Sequence, residues 1–425
     1  MKVLIVGEGS REHAIAWKIA SSPHKPRIMT APGNAGTAQL GDNFDVPAGD
    51  IEGLIELAKE ESADLTFIGP EVPLAAGIVD RFHEEGLRVF GPTKAAARIE
   101  ASKSFAKDVM AAANVPTAEA EVFHSAGAAI GYVESATPPF VVKADGLAAG
   151  KGVIMSETPE EAVGAINSMF VSRDFGSAGD KVLIEQWLRG QEVSVFAFVD
   201  GPYVSEMTAA CDYKRARDGD LGLNTGGMGS YSPPPFWDDE LDARVRAEIV
   251  EPVAAQMAEM GCPFQGILYA GLMITEDGPK VIEFNCRMGD PEAQVVIPRL
   301  MSDLLELALC TVEGTLSEQK VEWSDDSWVG VVLASDGYPG GYETGFEVSG
   351  LPEDSDESVV FHAGTKLCEV LETDQNTKIT TSGGRVLTVA SRGDTVADAR
   401  CSAYQAVSGI QFGNVYYRRD IGAGV

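Results

Sequence analysis

The stretch PPFVVKADGLAAGKGVIMSE, residues 138–157, decides the fold. It reads as two β-like runs joined by a loop of glycines and small residues. At first sight the loop resembles the Walker pattern G-x-x-x-x-G-K-[ST]. Two positions exclude that reading: Asp145 stands where the first glycine belongs, and Lys151 is followed by Gly152 rather than by a hydroxyl residue. A Walker loop also joins a strand to a helix, whereas this one joins strand to strand. It can fold as a flap over phosphates, with Lys143 directing a cation at an α or β phosphate and Gly150 letting the backbone approach. A plain solvated hairpin is the alternative at this point.

Upstream, KVLIVG (2–7), RIMTA (27–31), LTFIG (65–69) and LRVFG (87–91) read as strands, and 12–21, 52–61 and 73–85 as helices. This alternation means a parallel sheet covered on both faces, with ligands at the C-terminal strand ends. Those ends carry GEGSRE, APGNAG, IGPEVP and FGPT. Gly7-Glu8-Gly9 follows a strand and opens a helix, but Glu12 replaces the third glycine of a dinucleotide fingerprint. The second strand also lacks the acid that grips a ribose, so a nicotinamide or flavin cofactor is disfavoured. Two readings stand: a substrate phosphate at the helix N-terminus after Gly9, or a tight turn without a ligand.

Downstream, a helix spans 102–113 and opens with Ser102, and another lies near 158–170. KVLIEQWL then ends an apolar strand at Glu185-Gln186-Trp187-Leu188, where the main chain can meet an adenine edge and Glu192 can accept from ribose hydroxyls. Core packing accounts for Trp187 and Leu188 equally well. Residues 212–235, DYKRARDGDLGLNTGGMGSYSPPP, are long and structureless enough to read as a functional loop. After a helix at 238–260, GILYAGLMITEDGPKVIEFNCR reads as a hairpin turning at EDG. Strand periodicity puts Glu283 and Asn285 on one face, with Ile282, Phe284 and Cys286 on the core face. A carboxylate and an amide oxygen side by side suit a hard cation that also takes phosphate oxygens. An edge strand with polar residues in water is the bland alternative. Arg287, Asp290 and Glu292 extend the polarity, either as site residues, with Arg287 a bidentate phosphate donor, or as a surface ion-pair network. Strands and a helix at 395–408 fill 328–425 as a closing lobe.

Composition narrows the partners. The 425 residues are 44% apolar and 23% charged, as in globular chains of several domains. Lys+Arg 33 against Asp+Glu 64 leaves a net charge of −31. A surface of that sign repels nucleic-acid backbones and anionic membranes. The start MKVLIVGEGSREH is too short for the apolar core of a signal peptide, and no run approaches a membrane span, so the expected compartment is cytoplasmic. Six cysteines without a CxxC pair argue for reduced, mostly buried thiols, and five histidines without HxxxH or HExxH give no histidine metal site.

MKVLIVGEGSREHA, APGNAGTA, GPEVPL, SKSFAKD, VVKADGLAAGKGV, NTGGMGSYSP, LYAGLMI, EFNCRMGDPE and FHAGTK occur in one order along essentially the whole chain. Together they closely resemble the phosphoribosylamine–glycine ligase (glycinamide ribonucleotide synthetase) family of the ATP-grasp superfamily. The resemblance implies an α/β fold with an N-terminal substrate-binding domain (1–101), an ATP-grasp domain (102–324, flap about 115–188) and a small C-terminal α+β domain (325–425). It implies an ADP-forming ligase of purine biosynthesis that joins glycine to 5-phosphoribosylamine through a glycyl phosphate. ATP is the substrate, Mg²⁺ or Mn²⁺ the metal, and a monomer or weak dimer the assembly.

By resemblance, Lys103 and Lys143 meet ATP phosphates, with Lys143 and Arg287 catalytic. Gly150 belongs to the flap, Glu185, Gln186, Trp187 and Leu188 to the adenine site, and Glu192 to the ribose. Arg215 and Asn224 reach the phosphate and metal region, Glu283 and Asn285 hold the metal, and Gly9, Asn34, Glu71, Asp212, Arg287 and Asp290 contact the substrates. Two positions depart from many relatives: Tyr213 replaces a histidine, and Leu223 a proline. The strand before EFN carries no acid, although the superfamily often places a metal carboxylate there. The competing readings are another ATP-grasp ligase of nucleotide metabolism with a different acid or amine, and a non-catalytic nucleotide-binding regulator.

Overall fold

The computed structural model describes residues 1–148, 152–353, 355, 357–368 and 378–425. The apolar run of Lys2–Gly7 forms the middle of a five-stranded parallel sheet. Arg27–Pro32 and Gly41–Asn43 lie on one side of it, Leu65–Ile68 and Val89–Phe90 on the other. Gly41–Asn43 is an edge strand that the sequence reading lacks, because GDN carries no apolar signal. The predicted helix 73–85 is two, Glu71–Ala76 and Ile78–Glu84, broken where Gly77 adopts φ of +100°. Strand order reverses beside Lys2–Gly7, so the Gly7–Gly9 turn sits at the switch point where such sheets bind ligands.

Ser102 caps the helix Lys103–Ala112 as its sequence predicts, accepting from the Phe105 N–H. Beyond it a small antiparallel sheet places Ala120–Phe123, Val182–Gln186, Phe140–Ala144 and Val153–Ser156 side by side. Helices Ala126–Ser135 and Pro159–Phe170 bury their apolar stripes on it, giving a separate core around Val142, Ile166 and Ile184. Lys143 ends one inner strand and Glu185 lies on its neighbour.

The largest sheet is antiparallel and has the order Gly278–Asn285, Gln265–Thr275, Gln191–Asp200, Thr208–Asp212, Gly229–Ser232, Ser327–Ser335, Arg385–Gly393, Ser358–His362. The C-terminal strands continue this sheet, since Ser327–Ser335 pairs directly with Gly229–Ser232. The 212–235 segment is not structureless either. Arg215–Arg217 and Leu221–Asn224 form a hairpin. Its leucines, Leu221 and Leu223, stay exposed, and it is held from outside by the fully buried Arg418, which donates to the Arg215 carbonyl at 3.0 Å and pairs with Asp220 and Asp420. Tyr213 joins this clasp: its hydroxyl accepts from the Gly422 N–H at 3.0 Å, and its ring lies 4.9 Å from the Arg418 guanidinium. Cys211, Cys262, Cys286 and Cys310 are buried free thiols, whereas Cys401 is exposed. Among the described residues no helix is long and apolar enough to cross a membrane.

The first helix, Ser10–Ala20, docks on the last strands of the large sheet through His13. His13 Nδ1 accepts the His362 N–H at 2.8 Å, and its ring meets Phe361 edge-on at 5.7 Å. Gly36 makes room for the ring, since a Cβ there would lie 2.2 Å from His13 Cε1. Burial, aided by the neighbouring His362, pushes His13 down to about 3, and burial pushes His362 down to about 4. Below pH about 6.5 the unfolded chain takes up protons that the folded imidazoles refuse, so stability falls as pH falls through that range. Between pH 7 and 5 the stability of wild type, measured by urea unfolding, should fall more steeply than that of His13→Gln, by about 1.4 kcal/mol per pH unit once pH is below 6.5. Equal slopes would mean that His13 protonates within the fold.

Candidate active site

The cleft between the small sheet and the large one gathers cations in a chain that is short of them. Lys143 and Glu185 face each other across the flap, Nζ to Oε2 at 2.7 Å. Lys107 sits 3.3 Å from Glu185 Oε1 and also donates to Thr117 Oγ1 and the Ala118 carbonyl. Lys103 lies one turn before Lys107 on the same helix face. Among the described residues its ammonium makes no hydrogen bond or ion pair, and burial depresses its pKa against the pull of Glu283.

Lys143 Nζ also donates to the Ile282 carbonyl at 3.2 Å. That bond depends on an irregularity absent from the simple alternation of the strand. Glu283 pairs with Gly271 and Val281 with Leu272, leaving Ile282 as a bulge. Val281, not Ile282, fills the core, while Phe284 and Cys286 are buried as expected.

Glu283 and Asn285 share the face that looks into the cleft. Burial alone would raise the Glu283 carboxyl, but Lys214, Lys103, Lys143 and Arg287 together hold it below its ordinary value. An ionised carboxylate beside an amide oxygen is a donor set that fits a hard divalent cation. Among the described residues no group of three or more His, Cys, Asp or Glu is placed to hold a metal, so these two oxygen ligands would need phosphate or water to complete the shell. The preceding strand offers Tyr269 opposite Asn285, and its hydroxyl donates to the buried Glu292 at 3.0 Å. Arg287, Asp290 and Glu292 thus belong to a largely buried network rather than to a surface one.

Arg287 is where the geometry departs most from expectation. Its fork does not stand free for a phosphate. Nε donates to Glu71 at 3.1 Å, Nη2 to Glu100 at 2.7 Å and Asn285 at 3.3 Å, and Nη1 to the Met288 carbonyl at 3.2 Å. Glu71 is engaged in turn: burial raises its carboxyl, but Arg287 and Arg11 outweigh that and hold it at about 2. Gly9 is likewise less open than a bare helix N-terminus. Glu12, at the third helical position, takes the Gly9 N–H at 2.6 Å, the return half of a capping box. Asn34 has internal partners on both side-chain atoms, donating to the Glu8 and His362 carbonyls and accepting from Gly36 and Thr37. It ties the first loop to the C-terminal strands.

The remaining candidates divide in two. Lys214 pairs with Glu192 and lies 4.0 Å from Asp212. Burial, with Glu292 and Glu192 nearby, raises the Asp212 carboxyl in spite of Lys214. Arg215 and Asn224 pair across the foot of the hairpin, where Arg215 donates to the Gly222 carbonyl rather than into the cleft. Glu185 is buried in the flap sheet with its carboxylate on two lysines, so the free linker begins beyond Gln186. Trp187 and Leu188 belong to none of the apolar cores. With Gln186, Ile274 and Lys280 they line an open cleft of about 520 Å³. Gly150 lies outside the described residues. Sequence reasoning missed Lys107, Glu100 and Glu12. The four-residue spacing from Lys103 was available for Lys107, and an acid in the first turn of a helix for Glu12; Glu100 meets Arg287 only through the fold.

A four-stranded flap facing a large antiparallel sheet across a lysine-lined cleft defines an ATP-grasp protein. The biotin carboxylase domain of 2-oxoglutarate carboxylase from Hydrogenobacter thermophilus shares this fold, with TM-score 0.76, 14% identity and coverage of 98% of this chain and 91% of that one. The chain belongs to the phosphoribosylglycinamide synthetase family. Its N domain matches residues 1–100, its ATP-grasp (A) domain 101–293 and its C domain 328–424. A phosphoribosylamine–glycine ligase of Halalkalibacterium halodurans is 49% identical over 423 residues, covering 100% of this chain and 97% of that protein. The enzyme of that name from Escherichia coli K12 is 47% identical over 99% and 98% of the two chains. The crystal structure of phosphoribosylamine–glycine ligase from Thermotoga maritima superposes with TM-score 0.84 at 32% identity, covering 99% of this chain and 100% of that one.

Replacing Arg287 with Lys keeps a charge but removes the fork that joins Glu71 to Glu100. Since breaking one side of a buried ion pair costs roughly 3–5 kcal/mol, the milder Arg287→Lys should lower unfolding stability by about 2 kcal/mol. Denaturant unfolding without ligands checks this; an unchanged midpoint would show that the network contributes nothing to the fold.

Proposed function

We propose that this protein is an ADP-forming ligase that joins glycine to 5-phosphoribosylamine, giving glycinamide ribonucleotide, ADP and phosphate. The observation that carries the chemistry is Lys103, a half-buried ammonium near Glu283 and Lys143 that among the described residues has no hydrogen bond or close ion pair of its own. Such a group needs an anion, and a nucleotide polyphosphate supplies one. The full-length relatives named for this reaction support the choice of glycine and phosphoribosylamine.

In this reading Lys143 spends two of its three donors on Glu185 and the Ile282 carbonyl and keeps the third for phosphate. Lys103 neutralises charge on the transferring phosphoryl group. Trp187 and Leu188 take the adenine and Glu192 the ribose. Glu283 and Asn285 would hold Mg²⁺ or Mn²⁺, which would supply screening of the phosphate oxygens. The glycine carboxylate takes the γ-phosphoryl group and ADP leaves. The neutral amine then attacks the glycyl carbonyl, releases phosphate and loses a proton. Closure of the flap excludes water from the acyl phosphate.

The test is ADP release with ATP, glycine and enzymatically generated phosphoribosylamine, each omitted in turn. ADP should form in a multiple-turnover reaction only when all three are present. Equal release with a different acid or amine would transfer the protein to another ATP-grasp activity. In the same assay Glu283→Gln should lose at least about 100-fold in turnover, the scale of removing one group that stabilises transition-state charge. Near-normal turnover at saturating Mg²⁺ would remove Glu283 from the metal site.

A further inference from the structure

Arg385 opens the strand Arg385–Gly393, and the sequence reading passes it over. Its Nη1 donates to the main-chain oxygens of Gly226 and Asp290, both at 2.7 Å, with the Gly227 oxygen at 3.4 Å. Its Nη2 lies 3.3 Å from Asp290 Oδ2. These partners come from two separate loops. Gly226 and Gly227 follow the hairpin that begins after Asp212 and Lys214, and Asp290 follows the strand of Glu283 and Asn285. The packing leaves little slack. A Cβ on Gly226 would lie 3.0 Å from the guanidinium carbon, and one on Gly227 2.2 Å from Pro291 Cδ. The other oxygen of the Asp290 carboxylate accepts from Gln294 at 2.9 Å. That carboxylate borders the first loop of the chain, since a Cβ on Gly9 would lie 3.2 Å from Asp290 Oδ2.

We propose that Arg385 is a positioning residue for the amine substrate. It acts through Asp290, holding that carboxylate and the Gly226–Gly227 turn in one geometry where the N, ATP-grasp and C domains meet beside Gly9. The inference rests on the ligase reading given above. A planar guanidinium presents its donors in a rigid fork that fixes the angle between the carbonyl oxygens and the carboxylate it joins, whereas a lysine ammonium is a point charge on a flexible stem. Without Arg385, Asp290 loses its nearest cation and keeps only the Gln294 amide and the more distant Arg11, so more of its negative charge faces the first loop beside Gly9, in a protein whose field already opposes anions.

The experiment compares wild type, Arg385→Met, Arg385→Lys, Asp290→Asn and the Arg385→Met/Asp290→Asn double variant. ADP release is titrated separately against phosphoribosylamine and against ATP, with thermal unfolding recorded for each protein. Arg385→Met should raise the KM for phosphoribosylamine about tenfold or more, the scale of one charge-assisted hydrogen bond, while the KM for ATP stays within about twofold. Arg385→Lys should fall between wild type and Arg385→Met. In the Asp290→Asn background Arg385→Met should add less than about threefold, because two residues acting through one carboxylate are not additive. A lowered melting temperature with unchanged KM values, an equal rise for both substrates, or full additivity in the double variant would overturn the inference. If Arg385→Met does not fold, Arg385→Lys decides by the same KM comparison. If wild type releases no ADP with glycine and phosphoribosylamine, the ligase reading falls and the inference with it; if it does and the variants match it, only the inference falls.

Discussion

A half-buried carboxylate held below its ordinary pKa organises this cleft. Glu283 is drawn out of water, which by itself favours the neutral acid. Lys214, Lys103, Lys143 and Arg287 outweigh that effect. The dependence is mutual, because Glu283 also opposes the depression of Lys103 by burial. The four cations come from the start of a helix, the flap, the loop after Thr208–Asp212 and the turn after Gly278–Asn285. Lys143 also pairs with Glu185, Lys214 with Glu192, and Arg287 with Glu71 and Glu100. Their convergence explains how a chain with a charge of −31 can present a local field that suits phosphates.

The elements around that centre were largely legible where local patterning suffices. The parallel strands at 2–7 and 27–31, the Ser102 cap and the hairpin turning at Asp277 follow from periodicity and turn chemistry. Order along the chain was enough to identify the family. What escaped was decided at long range or against the local pattern. Arg287 looks like a free fork until Glu71 and Glu100 arrive from far upstream. The Arg215–Asn224 hairpin looks like loose chain until Arg418 arrives from near the C-terminus. Ile282 follows the strand period in sequence and leaves it in space, where its carbonyl meets Lys143. Composition alone could not foresee the cation cluster either, because a net charge averages over the very positions that matter.

The small and large sheets divide the labour. The flap sheet has its own core, which sets the strands of Lys143 and Glu185, and the Ile282 carbonyl and Lys107 anchor the two side chains from outside it. The large sheet carries Glu283 and Asn285 at one edge and runs without a break in hydrogen bonding to Ser358–His362 at the other. His13 and Asn34 fasten the N-terminal domain to that far edge. Loops from three regions of the chain are thereby fixed to one rigid support, the arrangement that precise placement of two substrates requires.

The order of strands in that sheet has a consequence for synthesis on the ribosome. Gly229–Ser232 is flanked by Thr208–Asp212 on one side and by Ser327–Ser335 on the other. The intervening chain first returns to the opposite edge as Gln265–Thr275 and Gly278–Asn285. A nascent chain that has emerged only as far as Asn285 therefore has a half-built sheet whose Gly229–Ser232 edge is open. Its main-chain donors and acceptors are then unpaired, which is the condition in which growing chains pair wrongly with one another. The N-terminal sheet and the flap, whose strands pair within short stretches of sequence, complete themselves earlier. Translation thus completes the N-terminal sheet and the flap first, and the strands after residue 326 close the large sheet.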